Sequence, residues 1–328
     1  MRAVVILGGY GRLGRHLVHE LAGRTQAPLV VAGRSLQRAE SLALAFGERA
    51  RGVYANAQDT RTLVRALEGA GALVACCGGD QLVALQTALE LRVPFVGLSP
   101  VWLEPKTRTR LAELAWRAQV PVVLSAGALP GLPGILAEAL VRQLPAIRRL
   151  RIASTGSNAG TVTSRRDPQR SPTPGGNASA RGAFRRRLPE LWRFAAPIGM
   201  RAVVPSSSPD LEGFVESHCV ETLTFLAPPL GVISRSLTRL VARQLDTGFG
   251  LAATAVCDSD PAAPATTGIE LYAQNIMTPA AALATALTVA ILEGRVPAGL
   301  STPREVLHPA IALGELEKRG VRISAISR

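Results

Sequence analysis

The sequence predicts an α/β fold: a doubly wound parallel sheet, with a second α+β domain inserted before a group of C-terminal helices. Two observations predict the first domain. Short apolar runs alternate with helical patterns over residues 1–127, and the first run ends in a cluster of glycines. A third observation predicts the insertion, because the alternation stops over residues 128–276 and clear helical patterns return over residues 277–328.

Six strands are expected in the first domain, because short apolar runs between helices are typical of a parallel sheet covered on both faces. They lie at residues 3–7, 28–33, 51–57, 72–77, 94–99 and 120–127. Leu13, Leu17 and Leu21 recur every four residues and predict the first helix. Further helices are expected at residues 35–46, 59–68, 81–91 and 105–118, with Asp59 as an N-cap.

The inserted domain begins with a helix at residues 132–144, followed at 148–155 by a strand of alternating character that predicts an antiparallel sheet. Further strands are expected at residues 220–225, 250–258 and 268–275. A last group of helices has clear boundaries. Pro279 starts one that Gly294 ends, Thr302 and Glu305 form a capping box, and Gly320 ends the final helix.

Gly9, Gly11 and Gly14 fit the pattern G-x-G-x-x-G after a strand and at a helix start, which is the context that gives the pattern weight. In a Rossmann-type domain the first glycine allows a tight turn, the second admits a pyrophosphate and the third permits close helix packing. The free N–H groups of the helix start favour phosphate. We therefore expect dinucleotide binding by this loop, and the alternative is a plain strand–helix turn. Its residues are Gly9, Tyr10, Gly11, Arg12, Leu13 and Gly14.

The end of the second strand favours NADP over NAD. An NAD site usually carries Asp or Glu there for the ribose 2′-hydroxyl, whereas this strand is followed by Arg34 and Ser35. Arg34 can make a bidentate contact to a 2′-phosphate, Ser35 can donate a hydrogen bond, and Arg38 lies one turn further on. The alternative is that Arg34 is a solvated charge in an arginine-rich chain.

These segments resemble the saccharopine dehydrogenase-like NADP-dependent oxidoreductases over most of the chain. The resemblance rests on GGYGRLGRHL, VVAGRSLQRAESLA, LVACCGGDQLVALQTALELRVPFVGLS, PVVLSAGALPGLPGILAEAL, GIELYAQN and ALTVAILEGRVPAGLSTPREVL. It implies an NADP-dependent enzyme whose last helices pack on the nucleotide domain. It also implies cofactor contacts after the third, fourth and fifth strands, at Asn56, Asp59, Gly78 and Ser99. The Lys–His pair of lysine-forming saccharopine dehydrogenases is not found, so saccharopine itself is not the expected substrate.

Hydride transfer requires a proton donor beside the carbon that lies over the nicotinamide. In a doubly wound sheet that site lies beyond the carboxyl ends of the strands. Asp80 and Tyr272 are the candidate catalytic residues; the alternatives are a helix N-cap for Asp80 and a half-buried strand tyrosine for Tyr272. Cys76 and Cys77 either line the cofactor pocket or are small buried hydrophobes.

Composition restricts the partners. The net charge is +13, and all but two of the 37 basic residues are arginine, which reflects either genome composition or an anionic ligand. No nucleic-acid motif is found, so no nucleic-acid partner is expected. The four cysteines form no C-x-x-C pair, which favours a reducing compartment and no metal. Without a signal-peptide pattern or a long apolar stretch, we expect a cytoplasmic protein.

Taken together, these patterns predict an NADP-dependent oxidoreductase that transfers hydride between NADPH and a C=N, C=C or C=O group of a small anionic metabolite. The segment 157–187 is either a lid over that substrate or a solvated loop; its arginines include Arg165, Arg166, Arg170 and Arg185–Arg187. A homodimer is a further expectation. The alternatives are a non-catalytic NADP-binding sensor or scaffold, and a membrane-associated lipid-pathway enoyl reductase that docks through residues 223–233.

Overall fold

The computed structural model describes residues 2–144, 147–155, 190–206, 208–211, 214, 221–226, 248–257 and 266–327, and of 221–226 only the backbone. The chain divides into two compact units. The first comprises Met1–Leu132 and Pro279–His308, and the second comprises Pro133–Thr278 and Pro309–Arg328.

The first unit contains a seven-stranded sheet in which every strand pair is parallel, which confirms the predicted doubly wound fold. Its strands are β1 (Ala3–Leu7), β2 (Leu29–Gly33), β3 (Ala50–Tyr54), β4 (Ala70–Ala75), β5 (Phe95–Gly97), β6 (Pro121–Val123) and β13 (Gly299–Ser301). They lie in the order β13-β6-β5-β4-β1-β2-β3. The order reverses between β1 and β4, so the crevice outside the carboxyl ends of these two strands is the topological switch point.

Helices of the first unit connect these strands and begin where the sequence predicts. They are α1 (Arg12–Arg24), α2 (Leu36–Ala43), α3 (Thr60–Leu67), α4 (Leu82–Glu90), α5 (Pro105–Ala118), α7 (Met277–Leu292, in this unit from Pro279) and α8 (Pro303–Val306). Asp59 caps α3 by accepting a hydrogen bond from the Arg61 N–H at 3.0 Å. The capping box of Thr302 and Glu305 at α8 is also present.

The second unit contains a mixed seven-stranded sheet in the order β14-β12-β11-β7-β10-β9-β8. Its strands are β7 (Ile147–Ser154), β8 (Glu190–Phe194), β9 (Gly199–Ser206), β10 (Glu221–Leu226), β11 (Phe249–Cys257), β12 (Thr266–Ala273) and β14 (Arg322–Ser327). β7 pairs antiparallel with β11, as expected, but parallel with β10. The helices of this unit are α6 (Leu132–Gln143, in this unit from Pro133) and α9 (Pro309–Glu317).

The C-terminal segment differs from its prediction. Residues 277–328 were expected to return to the first domain as a block, but Pro309–Arg328 belong to the second unit. The reason is β14, which pairs antiparallel with β12 over six residues and carries α9 with it. The boundary between the units falls after Leu132, five residues beyond the predicted one.

No helix within the described ranges combines the length and the apolar character that are needed to cross a bilayer. The arginine-rich segment 157–187, including Arg165, Arg166, Arg170 and Arg185–Arg187, lies outside the described residues.

Candidate functional site

The glycine loop joins β1 to α1 at the switch point. Gly8 opens it with φ of +84°, a left-handed conformation that favours glycine. A Cβ on Gly9 would lie 2.9 Å from the Ile6 carbonyl oxygen, and one on Gly14 would lie 2.3 Å from that of Gly8. The loop therefore requires glycine at both motif positions, and it requires Gly8 as well, which the motif alone did not reveal.

The first turn of α1 is open to an anion. Its N-cap is Gly11, which has no side chain to accept from the free N–H groups, and the turn contains no acidic residue. Arg12 and Arg15 stand in this turn instead, near the positive end of the helix dipole, where cations are unfavourable. A bound phosphate would satisfy the N–H groups and offset both charges.

Tyr10 connects the glycine loop to the end of β2. Its phenolic oxygen accepts a hydrogen bond from the Ser35 backbone N–H at 3.0 Å. A Cβ on Gly33 would lie 2.4 Å from the Tyr10 ring, so the ring lies directly on the backbone at this glycine. This contact was missed from the sequence, because nothing local links residues 23 positions apart.

The start of α2 repeats the pattern of α1. Ser35 is its N-cap and accepts from the Arg38 N–H at 3.4 Å, and the first turn again has no acid. Arg34 and Arg38 are exposed, and neither has an acidic partner in the part of the chain that the structure describes. A groove of about 550 Å³ lies beside Arg38; it is lined by Tyr10, Arg15, Gln37, Arg38, Ser41 and Leu42. Two helix starts and their arginines therefore bring positive charge to the same edge of the sheet.

Asn56 and Asp59 follow β3 and take part in a local turn. The Asn56 side chain accepts from the Gln58 N–H at 3.2 Å, and its backbone N–H donates to Thr62 Oγ1 at 3.0 Å. The Asp59 carboxylate caps α3. Both shape the end of β3, and their contact with a cofactor stays a prediction.

Cys76 and Cys77 follow β4 and pack against the glycine loop. The Cys76 thiol donates to the Leu7 carbonyl at 3.2 Å, and the Cys77 backbone nitrogen lies 2.9 Å from where a Gly8 Cβ would be. Burial raises the pKa of both thiols; at Cys77 hydrogen bonds and the nearby Arg34 charge partly oppose this rise. Both side chains are therefore neutral thiols at physiological pH. This agrees with the interpretation of Cys76 and Cys77 as small buried hydrophobic residues.

We expect these thiols to make stability depend on pH in alkaline solution. Above the ordinary thiol pKa of 9.0 the unfolded chain loses protons that the folded chain keeps. The free energy of unfolding should therefore fall as pH rises, by up to about 1.4 kcal/mol per pH unit for each thiol. Urea denaturation of wild type and of Cys76→Ala/Cys77→Ala between about pH 8 and 11 measures this.

The double variant should show a shallower decline, and the two curves should run parallel below about pH 8. Equal slopes in the alkaline range would contradict the buried neutral thiols.

Gly78, Asp80 and Ser99 complete the carboxyl edge at β4 and β5. Gly78 is half-buried in the turn after β4, and Ser99 Oγ donates to the Cys77 carbonyl at 3.0 Å. The Asp80 carboxylate is exposed and accepts from the Leu82 N–H at 2.9 Å, so it caps the start of α4. Gln81, which was missed from the sequence, is buried in this turn.

Tyr272 lies in the second unit, on β12 opposite Arg322 of β14. The Arg322 guanidinium lies 4.4 Å from the centre of the Tyr272 ring, as a cation–π pair, and also donates to the Ala196 carbonyl. The Tyr272 hydroxyl lies 3.1 Å from where a Cβ on Gly248 would be. Its role as a proton donor stays a prediction.

Comparison with known proteins identifies the architecture. No protein-family model and no curated protein sequence matches the chain. Apo saccharopine dehydrogenase (L-Glu forming) from Saccharomyces cerevisiae matches with a TM-score of 0.67 over 100% of both chains, at 14% sequence identity. The chain has the saccharopine dehydrogenase fold. This confirms, for the fold, the resemblance that the sequence motifs carry.

A second solved structure that matches the chain is the WlbA (WbpB) dehydrogenase from Thermus thermophilus, in complex with NAD and UDP-GlcNAcA. It matches with a TM-score of 0.52 over 97% of this chain and 95% of that chain, at 16% identity. Both likenesses extend over nearly the whole chain, so the fold they share includes the second unit as well as the doubly wound sheet.

Proposed function

We propose that the protein is an NADP(H)-dependent oxidoreductase that transfers hydride between NADPH and a C=N, C=C or C=O group of a small anionic metabolite. The observation that carries the proposal is a pair of neighbouring helix starts at the carboxyl edge of the sheet, those of α1 after β1 and of α2 after β2, each without an acid in its first turn. Arg12, Arg15, Arg34 and Arg38 surround these two starts. Four arginines near two helix N-termini repel the positive ends of the helix dipoles when no ligand is bound. The same positive charge stabilises a bound ligand that carries several phosphates.

The residues fit the parts of NADP(H) in an order that the sheet dictates. The first turn of α1, with its glycine N-cap, suits the pyrophosphate, because it leaves N–H groups free. Arg34 and Arg38 at the start of α2 suit the 2′-phosphate of the adenosine half. The other half of the cofactor then extends across the switch point towards the turns after β4 and β5.

NADPH supplies the hydride when bound, so the chain has to bind it, orient it and move a proton. The Tyr272 hydroxyl is the proposed proton donor to the substrate, since a phenol can give a proton to an oxygen or nitrogen atom. Asp80 is the second candidate, although its carboxylate already caps α4. The reaction class is supported by the two structural neighbours, both of which are named as dehydrogenases.

The proposal is tested by cofactor binding with Arg34→Ala. We expect wild type to bind NADPH more tightly than NADH in isothermal titration calorimetry. Arg34→Ala should weaken NADPH binding by about tenfold and leave NADH binding nearly unchanged, because an exposed charge-assisted contact to a phosphate is worth about 1.4 kcal/mol.

Arg117→Ala is the matched control. It removes the same charge from the last turn of α5, where the Arg117 side chain is exposed and pairs with Glu113 at 3.8 Å. That variant should bind both nucleotides as wild type does. If wild type bound neither NADPH nor NADH, both the proposed cofactor site and the proposed enzyme activity would be refuted.

No observation within the described residues favours either alternative from the sequence over the enzyme. Residues 227–233 of the segment suggested for membrane docking lie outside the described residues. A sensor without activity would bind NADPH through the same edge, and turnover on a panel of imines, enones and ketones separates it from an enzyme. We propose a soluble-substrate reductase, with homodimer formation and a cytoplasmic location as further expectations.

A further inference from the structure

A buried amide holds together the turn after β4 and the end of β5. Gln81, 3% exposed, donates from Nε2 to the Cys77 carbonyl at 2.7 Å, to Ser99 Oγ at 3.1 Å and to the Ala75 carbonyl at 3.1 Å. Ser99 Oγ in turn donates to the same Cys77 carbonyl at 3.0 Å. The Gln81 side chain therefore links three places: Ala75 at the end of β4, Cys77 in the turn that follows, and Ser99 after β5.

The donor count shows how tightly this turn is fixed. An amide nitrogen has two hydrogens, so Gln81 shares them among these three oxygen acceptors and the Cys77 sulfur, which lies 3.9 Å from Nε2. The Ser99 hydrogen is used on the Cys77 carbonyl, which leaves Ser99 Oγ only acceptor capacity towards a ligand. A carboxylate or an apolar side chain at position 81 could make none of these donations.

The same amide is left with an unpaired acceptor. Gln81 Oε1 is buried without a hydrogen-bond partner among the described residues, and it lies 3.1 Å from where a Cβ on Gly97 would be. A buried unpaired acceptor lowers the stability of the folded chain. The amide therefore makes its donations to the turn and to Ser99 at the cost of one buried unpaired acceptor.

The turn that Gln81 holds lies directly against the glycine loop. The backbone nitrogen and Cα of Cys77 are 2.9 and 3.1 Å from where a Gly8 Cβ would be. These two segments follow β4 and β1, the strands on either side of the switch point. The position of the Cys77 turn therefore sets one wall of the crevice that the cofactor would enter.

We infer that Gln81 is a positioning residue that fixes the Cys77 turn and Ser99 for the nicotinamide half of the cofactor. The inference rests on the proposed function. Arg34 lies at β2, on one side of the glycine loop, and Gln81 lies at β4 and β5, on the other side. Loss of the Gln81 hydrogen bonds should therefore loosen the Cys77 turn, which faces the nicotinamide half of NADPH. Binding of the adenosine half should stay unchanged.

The experiment compares NADPH with adenosine 2′,5′-bisphosphate, which lacks the nicotinamide half. Gln81→Met keeps the length of the side chain and removes the donor. We expect the dissociation constant for NADPH to rise about tenfold and that for the bisphosphate to stay within about twofold of wild type. The fluorescence of bound NADPH, which reports the surroundings of the nicotinamide ring, should shift in the same variant.

Gln86→Met is the matched control, because it makes the same change at an exposed position on α4, the helix that Gln81 precedes. It should leave both ligands and the fluorescence unchanged. Equal effects of Gln81→Met on both ligands, or no effect on either, would overturn the inference. If that variant does not fold, Ser99→Ala tests the same link, and NADPH alone should be weakened. Failure of wild type to bind either ligand would refute the proposed function instead.

Discussion

Gly14→Ala is expected to abolish measurable NADPH binding and to lower the thermal midpoint of unfolding by several degrees. The added Cβ would lie 2.3 Å from the Gly8 carbonyl oxygen and 2.6 Å from that of Gly9. Both neighbours are backbone atoms of the loop, so the helix or the loop has to move. Overpacking of this kind costs about 1–3 kcal/mol, and the displaced loop no longer presents its N–H groups to the phosphates. Calorimetric titration and differential scanning calorimetry measure the two effects.

Gly23→Ala supplies a matched control on the same helix. Gly23 is exposed near the end of α1, and its Cβ would meet no atom within 4 Å. Alanine is favoured over glycine inside a helix by about 0.5–1 kcal/mol, so this variant should be slightly more stable than wild type. It should also bind NADPH normally. A Gly14→Ala variant that bound NADPH like Gly23→Ala would show that the loop is only a turn.

The features predicted correctly from the sequence are those whose cause is local. The glycine motif, the N-cap Asp59 and the capping box of Thr302 and Glu305 each depend on residues within a few positions of one another. Six strands of the parallel sheet were also found, because each is an apolar run between helices. Here the local chemistry and the final fold agree.

The missed features depend on contacts between distant segments. Tyr10 and Gly33 meet only because β1 and β2 are neighbours in the sheet, and Gln81 meets Ser99 only because β4 and β5 are. β14 was missed because its apolar residues are few and its place is set by pairing with β12. In each case the contact is a consequence of the strand order, which the local pattern does not encode.

Asp210→Ala is expected to destabilise the second unit by about 2–3 kcal/mol. Asp210 is 0% exposed, and its Oδ2 accepts from the Gly134 N–H at 2.7 Å in the first turn of α6. Ser208 donates to the other carboxylate oxygen. The carboxylate thus satisfies a helix N-terminus from 76 positions away and complements its dipole. Alanine would leave the Gly134 N–H buried without this acceptor.

Trp192 is the tryptophan of the second unit and is 8% exposed, so its fluorescence reports the unfolding of that unit. Trp102 and Trp116 lie in the first unit and are 41% and 62% exposed. With both of those changed to phenylalanine, the urea midpoint from Trp192 fluorescence should fall most for Asp210→Ala. Asp210→Asn keeps an acceptor oxygen, so its urea midpoint should fall about half as far as that of Asp210→Ala. Asp59→Ala removes a partly exposed cap from the first unit and should leave the Trp192 transition unchanged. An Asp210→Ala midpoint equal to wild type would mean that α6 finds another cap, and that the buried carboxylate does not hold the helix start in place.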